Sequence, residues 1–225
     1  MTTNLDVRNL SLEDVHRFLK YEEYSNGSIT SLLPLEPLTE LEQQELSQIR
    51  NLFRSYYASR KISEGQVKFL LLAPLMWLAG FYQPNIKITL EENIADISIE
   101  DEDTIIKGRM DVLAVNRTEA QRTTTPFWIV VIESKNLSVE ALEGLPQLLT
   151  YAYKTLENET SVWGLSTNGL SYWFIHIQQG NPPTYQLLPE LNLIDSELTI
   201  QLLQVLKAIC KLQHNTSANL GGNLT

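Results

Sequence analysis

Three charged residues stand where the surrounding pattern calls for apolar ones. Asp111 interrupts the run GRMDVLAV, and Glu133 and Lys135 close the run FWIVVIESK. A charge held in an apolar setting loses solvation, so three in neighbouring runs mark a site rather than a core. In an extended strand, side chains two apart share a face; Glu133 and Lys135 point together and Ser134 points away. If residues 105–115 form the adjacent strand, Asp111 joins them. Two carboxylates beside a backbone carbonyl make a hard-oxygen site suited to Mg²⁺ or Mn²⁺. Such an ion lowers the pKa of bound water and stabilises charge on a phosphate under in-line attack, and a neighbouring lysine orients the water or the phosphate. The plainer alternatives are a rim ion pair for Glu133 and Lys135 and a loop-bonded strand end for Asp111.

The elements that must position these residues follow from periodicity. Residues 105–115 and 127–135 read as strands, the second almost continuously apolar and therefore central, covered on both faces. Residues 145–156 form a helix with Pro146 in its first turn, entered through a helical turn at 138–143. Residues 161–166 return as a strand, parallel to 127–135 if the helix is a right-handed crossover. Thr167-Asn168-Gly169 turns the chain back along 170–177, and 185–188 adds a last strand. Upstream, Ser63 and Gln66 form a capping-box pattern for a helix that is apolar nearly all round, hence buried, with Pro74 kinking or ending its first half. Residues 86–99 change to period two, as an edge hairpin bending near Glu91-Glu92-Asn93. Before that lie a short helix capped by Ser11 and Asp14 and a longer one opened by Thr39. Residues 191–212 form a closing helix, and the polar end, 214–225, is expected to be disordered.

The series Asp111, spacer, Glu133-Ser134-Lys135 resembles the D…(D/E)-x-K signature of the PD-(D/E)xK, restriction-endonuclease-like nuclease superfamily. The usual proline before the aspartate is replaced by Met110. Gln147 and Tyr151 resemble the Q-x-x-x-Y element of RecB-like members, and their spacing of four puts both on one helix face. The helix start S-E-G-Q-V-K is similar to the opening of the nuclease domain in type I restriction enzyme R subunits, where a glutamate adds a further acid; Glu64 takes that position. The segment from Trp163 through Thr167-Asn168-Gly169 to Trp173 resembles the strand-turn of the same group. The likeness covers about residues 61–178. It implies an α/β fold with a mixed β-sheet flanked by helices in an αβββαβ core, and Mg²⁺ or Mn²⁺ held by Glu64, Asp111 and Glu133. It further implies DNA as substrate, catalysis by Asp111, Glu133, Lys135, Gln147 and Tyr151, and a specificity or motor subunit as partner. A catalytically silent module binding nucleic acid or protein is the alternative.

Composition bounds these readings. The 225 residues suit one substantial domain, read as a helical arm over 1–60, a nuclease domain over 61–213 and a tail over 214–225. A net charge of −10 means that any DNA contact is local, because backbone binding is normally driven by clustered cations. The longest apolar run contains Lys68, Pro74 and Gly80, so no membrane span is expected, and the first residues carry no export pattern; a cytoplasmic location follows. Cys210 is the one cysteine and reads as a small core residue. His16, His176 and His214 lack ligand spacing and read as surface or loop residues, while Trp77, Trp128, Trp163 and Trp173 read as core.

Overall fold

The computed structural model describes residues 3–24, 28–58, 61–93, 96–99, 103–116 and 127–220. Strand β1 (Thr3–Asp6) leads through a 3-10 turn into α1 (Leu12–Leu19), then β2 (Glu22–Glu23), the short α2 (Ile29–Leu32) and α3 (Glu40–Tyr57). The capping boxes Ser11–Asp14, Thr39–Glu42 and Ser63–Gln66 each satisfy exposed helix-start N–H groups. The third opens α4, residues 64–78, which is π-helical over Val67–Leu72. Pro74 accounts for the widening. It has no N–H to give, its ring crowds the preceding turn, and the N–H of Ala73 reaches the carbonyl of Lys68 instead. The helix therefore passes through the proline instead of ending at it.

The chain continues through β3 (Ile86–Asn93), β4 (Ile97–Ile99), β5 (Thr104–Lys107), β6 (Arg109–Asn116), β7 (Phe127–Ser134), α5 (Leu145–Thr155), β8 (Ser161–Thr167), β9 (Ser171–Gln178), β10 (Thr184–Leu187), β11 (Leu191–Asn192) and α6 (Ser196–Leu220). The main sheet has the order β2-β10-β9-β8-β7-β6-β3, with β11 also paired to β9. It is mixed: β7 and β8 run parallel across the α5 connection, whereas β3–β6, β6–β7 and β8–β9 are antiparallel. Two cores cover its faces. α3, α4 and α6 pack on one through residues such as Phe53, Leu75, Val112, Ile132, Phe174 and Leu206. α1 and α5 pack on the other through Phe18, Leu113, Leu148, Tyr151, Val162 and Ile175. Cys210 belongs to the first core, as expected, and burial pushes its thiol to about 11.

Several expectations are corrected. The hairpin over 86–99 does not form: β3 pairs with β6 in the main sheet, while β4 pairs with β5 in a separate sheet of order β1-β5-β4. Period-two alternation marks strands but not their partners. The single strand expected over 105–115 is divided at Gly108, where a Cβ would lie 2.2 Å from Val7 Cγ1, so only glycine lets the chain pass between the sheets. The first residues are more than a helical arm, since β1 and β2 each join a sheet. α4 is not buried all round, because Phe69 and Trp77 are exposed. Trp163 is buried and Trp173 packs against the second core. His176 stands in β9, half-buried with its ring 4.7 Å from that of Trp163, and His16 meets the hydroxyl of Tyr185 at 3.0 Å. The closing helix starts later than expected and runs on to Leu220, past the start of the expected tail. The side chains of Trp128 and His214, and residues 221–225, lie outside the described residues.

Candidate functional site

The end of β7 carries the site. Glu133 and Lys135 share a face, as the strand period requires, and the Lys135 ammonium lies 2.8 Å from Glu133 Oε1. The backbone N–H of Lys135 donates to the Thr167 carbonyl at 2.7 Å, which fixes the strand end. Asn168 braces the following turn by accepting from the N–H groups of Leu170 and Ser171, and Gly169 takes the positive φ of 88° that the turn demands.

α5 presents Gln147 and Tyr151 to this face. Gln147 Oε1 accepts from the Lys135 ammonium, Gln147 Nε2 stands 3.4 Å from the Tyr151 hydroxyl, and that hydroxyl donates to the Arg109 carbonyl at 2.8 Å. Burial first, then the charge of Glu133, raises the Tyr151 pKa, so the phenol stays protonated and serves as a fixed donor. The helix comes close because residue 144 is glycine: a Cβ there would lie 2.8 Å from Glu133 Cγ and 2.5 Å from Ser166 Oγ. Glu133 is only 3% exposed, and its Oε2 has no hydrogen-bond partner. Burial, helped by the nearby charge of Asp111, pushes its carboxyl up to about 7.

Asp111 sits where strand regularity slips. Leu90 pairs with Val112 and Glu92 with Met110, but the intervening Glu91 adopts a positive φ of 55°. Met110 and Leu113 face the same core although three apart. The Asp111 carboxylate accepts from Lys68 Nζ at 2.8 Å through Oδ1, and from the backbone N–H and hydroxyl of Ser134 at 2.8 and 2.9 Å through Oδ2. Ser134 does point away from Glu133, as expected, and there it holds Asp111. Lys68 also reaches Glu64 Oε1 at 2.8 Å, one helical turn away. Burial opposes the charge of Lys68, yet its bonds to Asp111 and Glu64 prevail and its pKa is raised.

Glu64, Asp111, Glu133, Lys135 and Gln147 line one open pocket of about 860 Å³, whose opposite wall is built by Asn4, Asp6 and Arg8 from the small sheet and the turn after it. Arg8 donates to Asp6 through Nε at 3.0 Å and holds that carboxyl down at about 2. Lys107 and Arg109 line the same side, 3.4 Å from Asp96 and Glu91 respectively.

All six expected residues are thus brought to one place. Among the described residues no three acidic, histidine or cysteine side chains are grouped to hold a metal ion. The Lys68 ammonium pairs with both Glu64 and Asp111. Sequence reasoning missed Lys68 and Ser134. The signal for Lys68 was a lone cation in an apolar helix, four residues after Glu64.

No family model and no curated protein matches the sequence. Among solved structures, a fragment described as an HsdR subunit of a type I restriction enzyme from Vibrio vulnificus YJ016 is similar over 64% of this chain and 25% of that one, at 19% identity and a TM-score of 0.38. Likeness of that degree decides nothing about activity, which rests on the side chains. No helix among the described residues is long and apolar enough to cross a membrane.

Proposed function

We propose that this chain is a metal-dependent nuclease that hydrolyses DNA phosphodiester bonds within a restriction or DNA-processing system. The observation that carries the reading is Glu133 Oε2: a buried carboxylate oxygen without a partner, in a residue that lines an open pocket with Asp111 and Lys135. A carboxylate whose ionisation is opposed by burial and by a second acid gains most from a cation beside it. Asp111 and Glu133 fit the hard-oxygen donors that Mg²⁺ or Mn²⁺ prefers. When bound, such an ion would activate water and neutralise charge on the phosphate.

The chain's own groups supply the rest. Gln147 and Glu133 hold the Lys135 ammonium at the pocket, where it can orient a water or a phosphate oxygen. The Tyr151 hydroxyl anchors α5 to the backbone at Arg109 and so fixes Gln147. The order α4-β3-β6-β7-α5-β8 through a mixed main sheet flanked by helices supports the reading. A subunit that supplies recognition or motor activity is the partner in this reading, which makes the negative net charge acceptable.

Cleavage of plasmid DNA in Mg²⁺ tests the proposal. Wild type should nick it, and Asp111→Ala should not; undiminished cleavage by that variant would sink the assignment. A second reading, a non-cutting module that binds nucleic acid or protein, is favoured by the Lys68 ammonium on Asp111. Calorimetric titration with Mn²⁺ separates the two, since a silent module need not bind the ion, and a nuclease loses binding in Glu133→Gln.

A further inference from the structure

The contact between Lys68 and Asp111 bears on how a cation could enter. Both Asp111 oxygens carry donors: Oδ2 accepts from the N–H and hydroxyl of Ser134, and Oδ1 from Lys68. Lys68 is held in turn by Glu64 and comes from a helix with little freedom to move. Its neighbours Val67 and Leu71 press on the turn at Gly169, where a Cβ would lie 2.9 Å from Leu71 Cδ1 and 3.1 Å from Val67 Cγ2. The Lys68 carbonyl accepts from Ala73 in the π-helical turn that Pro74 imposes. The ammonium is therefore built into the site, with two carboxylate partners at 2.8 Å.

We propose that Lys68 is a resident counter-cation of the Asp111 site, and that a divalent ion must displace it from Asp111 Oδ1 in order to bind. The inference rests on the nuclease reading and concerns what regulates that site. Lys68 keeps Asp111 and Glu64 neutralised while the pocket holds no ion, and its side chain swings out when the stronger cation enters. Two positive charges drawn to one carboxylate oxygen repel each other, so occupancy by Lys68 opposes occupancy by the ion. Metal affinity is thereby set low, and metal entry releases a lysine at the pocket.

Mn²⁺ titration by calorimetry on wild type, Lys68→Met and Lys68→Arg is the first test. Lys68→Met keeps the apolar stem and should bind Mn²⁺ tighter by about tenfold or more, the scale of one close charge removed from a half-buried ligand, whereas Lys68→Arg should stay close to wild type. Equal or weaker binding by a folded Lys68→Met overturns the proposal. The second test needs no variant. Mass-spectrometric acylation of wild type should find Lys68 several-fold more reactive at saturating Mn²⁺ than in its absence; unchanged or lower reactivity overturns the proposal. If neither wild type nor Lys68→Met binds Mn²⁺, the nuclease reading fails with it. If wild type binds Mn²⁺ through Asp111 and cleaves DNA while both Lys68 readouts stay flat, the Lys68 inference fails alone.

Discussion

Two half-sites flank the end of β7, and they are finished to different degrees. On the α4 side, Glu64, Lys68, Asp111 and Ser134 close a network in which both Asp111 oxygens have donors. On the α5 side, Lys135, Gln147 and Tyr151 are hydrogen-bonded, but Glu133 keeps one buried oxygen without a donor. A satisfied ionic network holds structure, whereas a buried acid left partly unsatisfied costs stability and retains affinity for a proton or a cation. The contrast sets a closed, ion-paired network in the first half against an unsatisfied acid in the second. Asp111 joins them, because it is tied to α4 and still raises the pKa of Glu133.

The most severe way to break this contrast is Asp111→Ala. Beyond the loss of Mg²⁺-dependent cleavage, it leaves Lys68 with Glu64 alone and the Ser134 donors without an acceptor. Urea unfolding should show a loss of about 1–3 kcal/mol. A variant as stable as wild type would mean that the α4 half is not a cohesive network. The contrast is sharpened by pH. Glu133 has a folded pKa of about 7 against an ordinary 4.5, so the folded state binds its proton more tightly than the unfolded state does. Its contribution is fully present below about pH 4.5 and is lost as pH rises through 7, a change of about 3 kcal/mol at most. Glu133→Gln removes that dependence. The stability of wild type minus that of the variant should therefore fall between pH 4.5 and pH 7 and level off above; a flat difference would show that Glu133 is not strained by its burial. The smallest effect concerns Tyr151→Phe, which removes the bond to the Arg109 carbonyl. It should cost about 1 kcal/mol in urea unfolding and leave Mn²⁺ affinity unchanged. Weakened metal binding would show that the two halves are coupled through α5 as well.

What could be read from the chain follows the range of the forces involved. Glu133, Lys135, Gln147 and Tyr151 were legible because their relations are local: two residues along a strand, four along a helix. The capping boxes at Ser11, Thr39 and Ser63 were legible for the same reason. Lys68 was not, since its direction depends on where α4 docks and on the π-helical turn at its middle. Ser134 was seen to face away from Glu133, but the break in side-chain alternation that turns Asp111 toward it, opposite the positive φ of Glu91, leaves no mark in the pattern of the strand. β1 escaped notice because four polar and apolar residues carry little pattern, and their partner, β5, lies far along the chain.

That last pairing has a kinetic consequence. β6–β7 and β8–β9 join neighbours in sequence, but β1 pairs in parallel with β5, so Thr3 must find Thr104. Closing so long a loop costs chain entropy that must be met before its contacts repay it. The β1–β5 pairing should therefore form after the local β8–β9 pairing, and pulsed hydrogen exchange during refolding should find the amides of β1 protected later than those of β8 and β9.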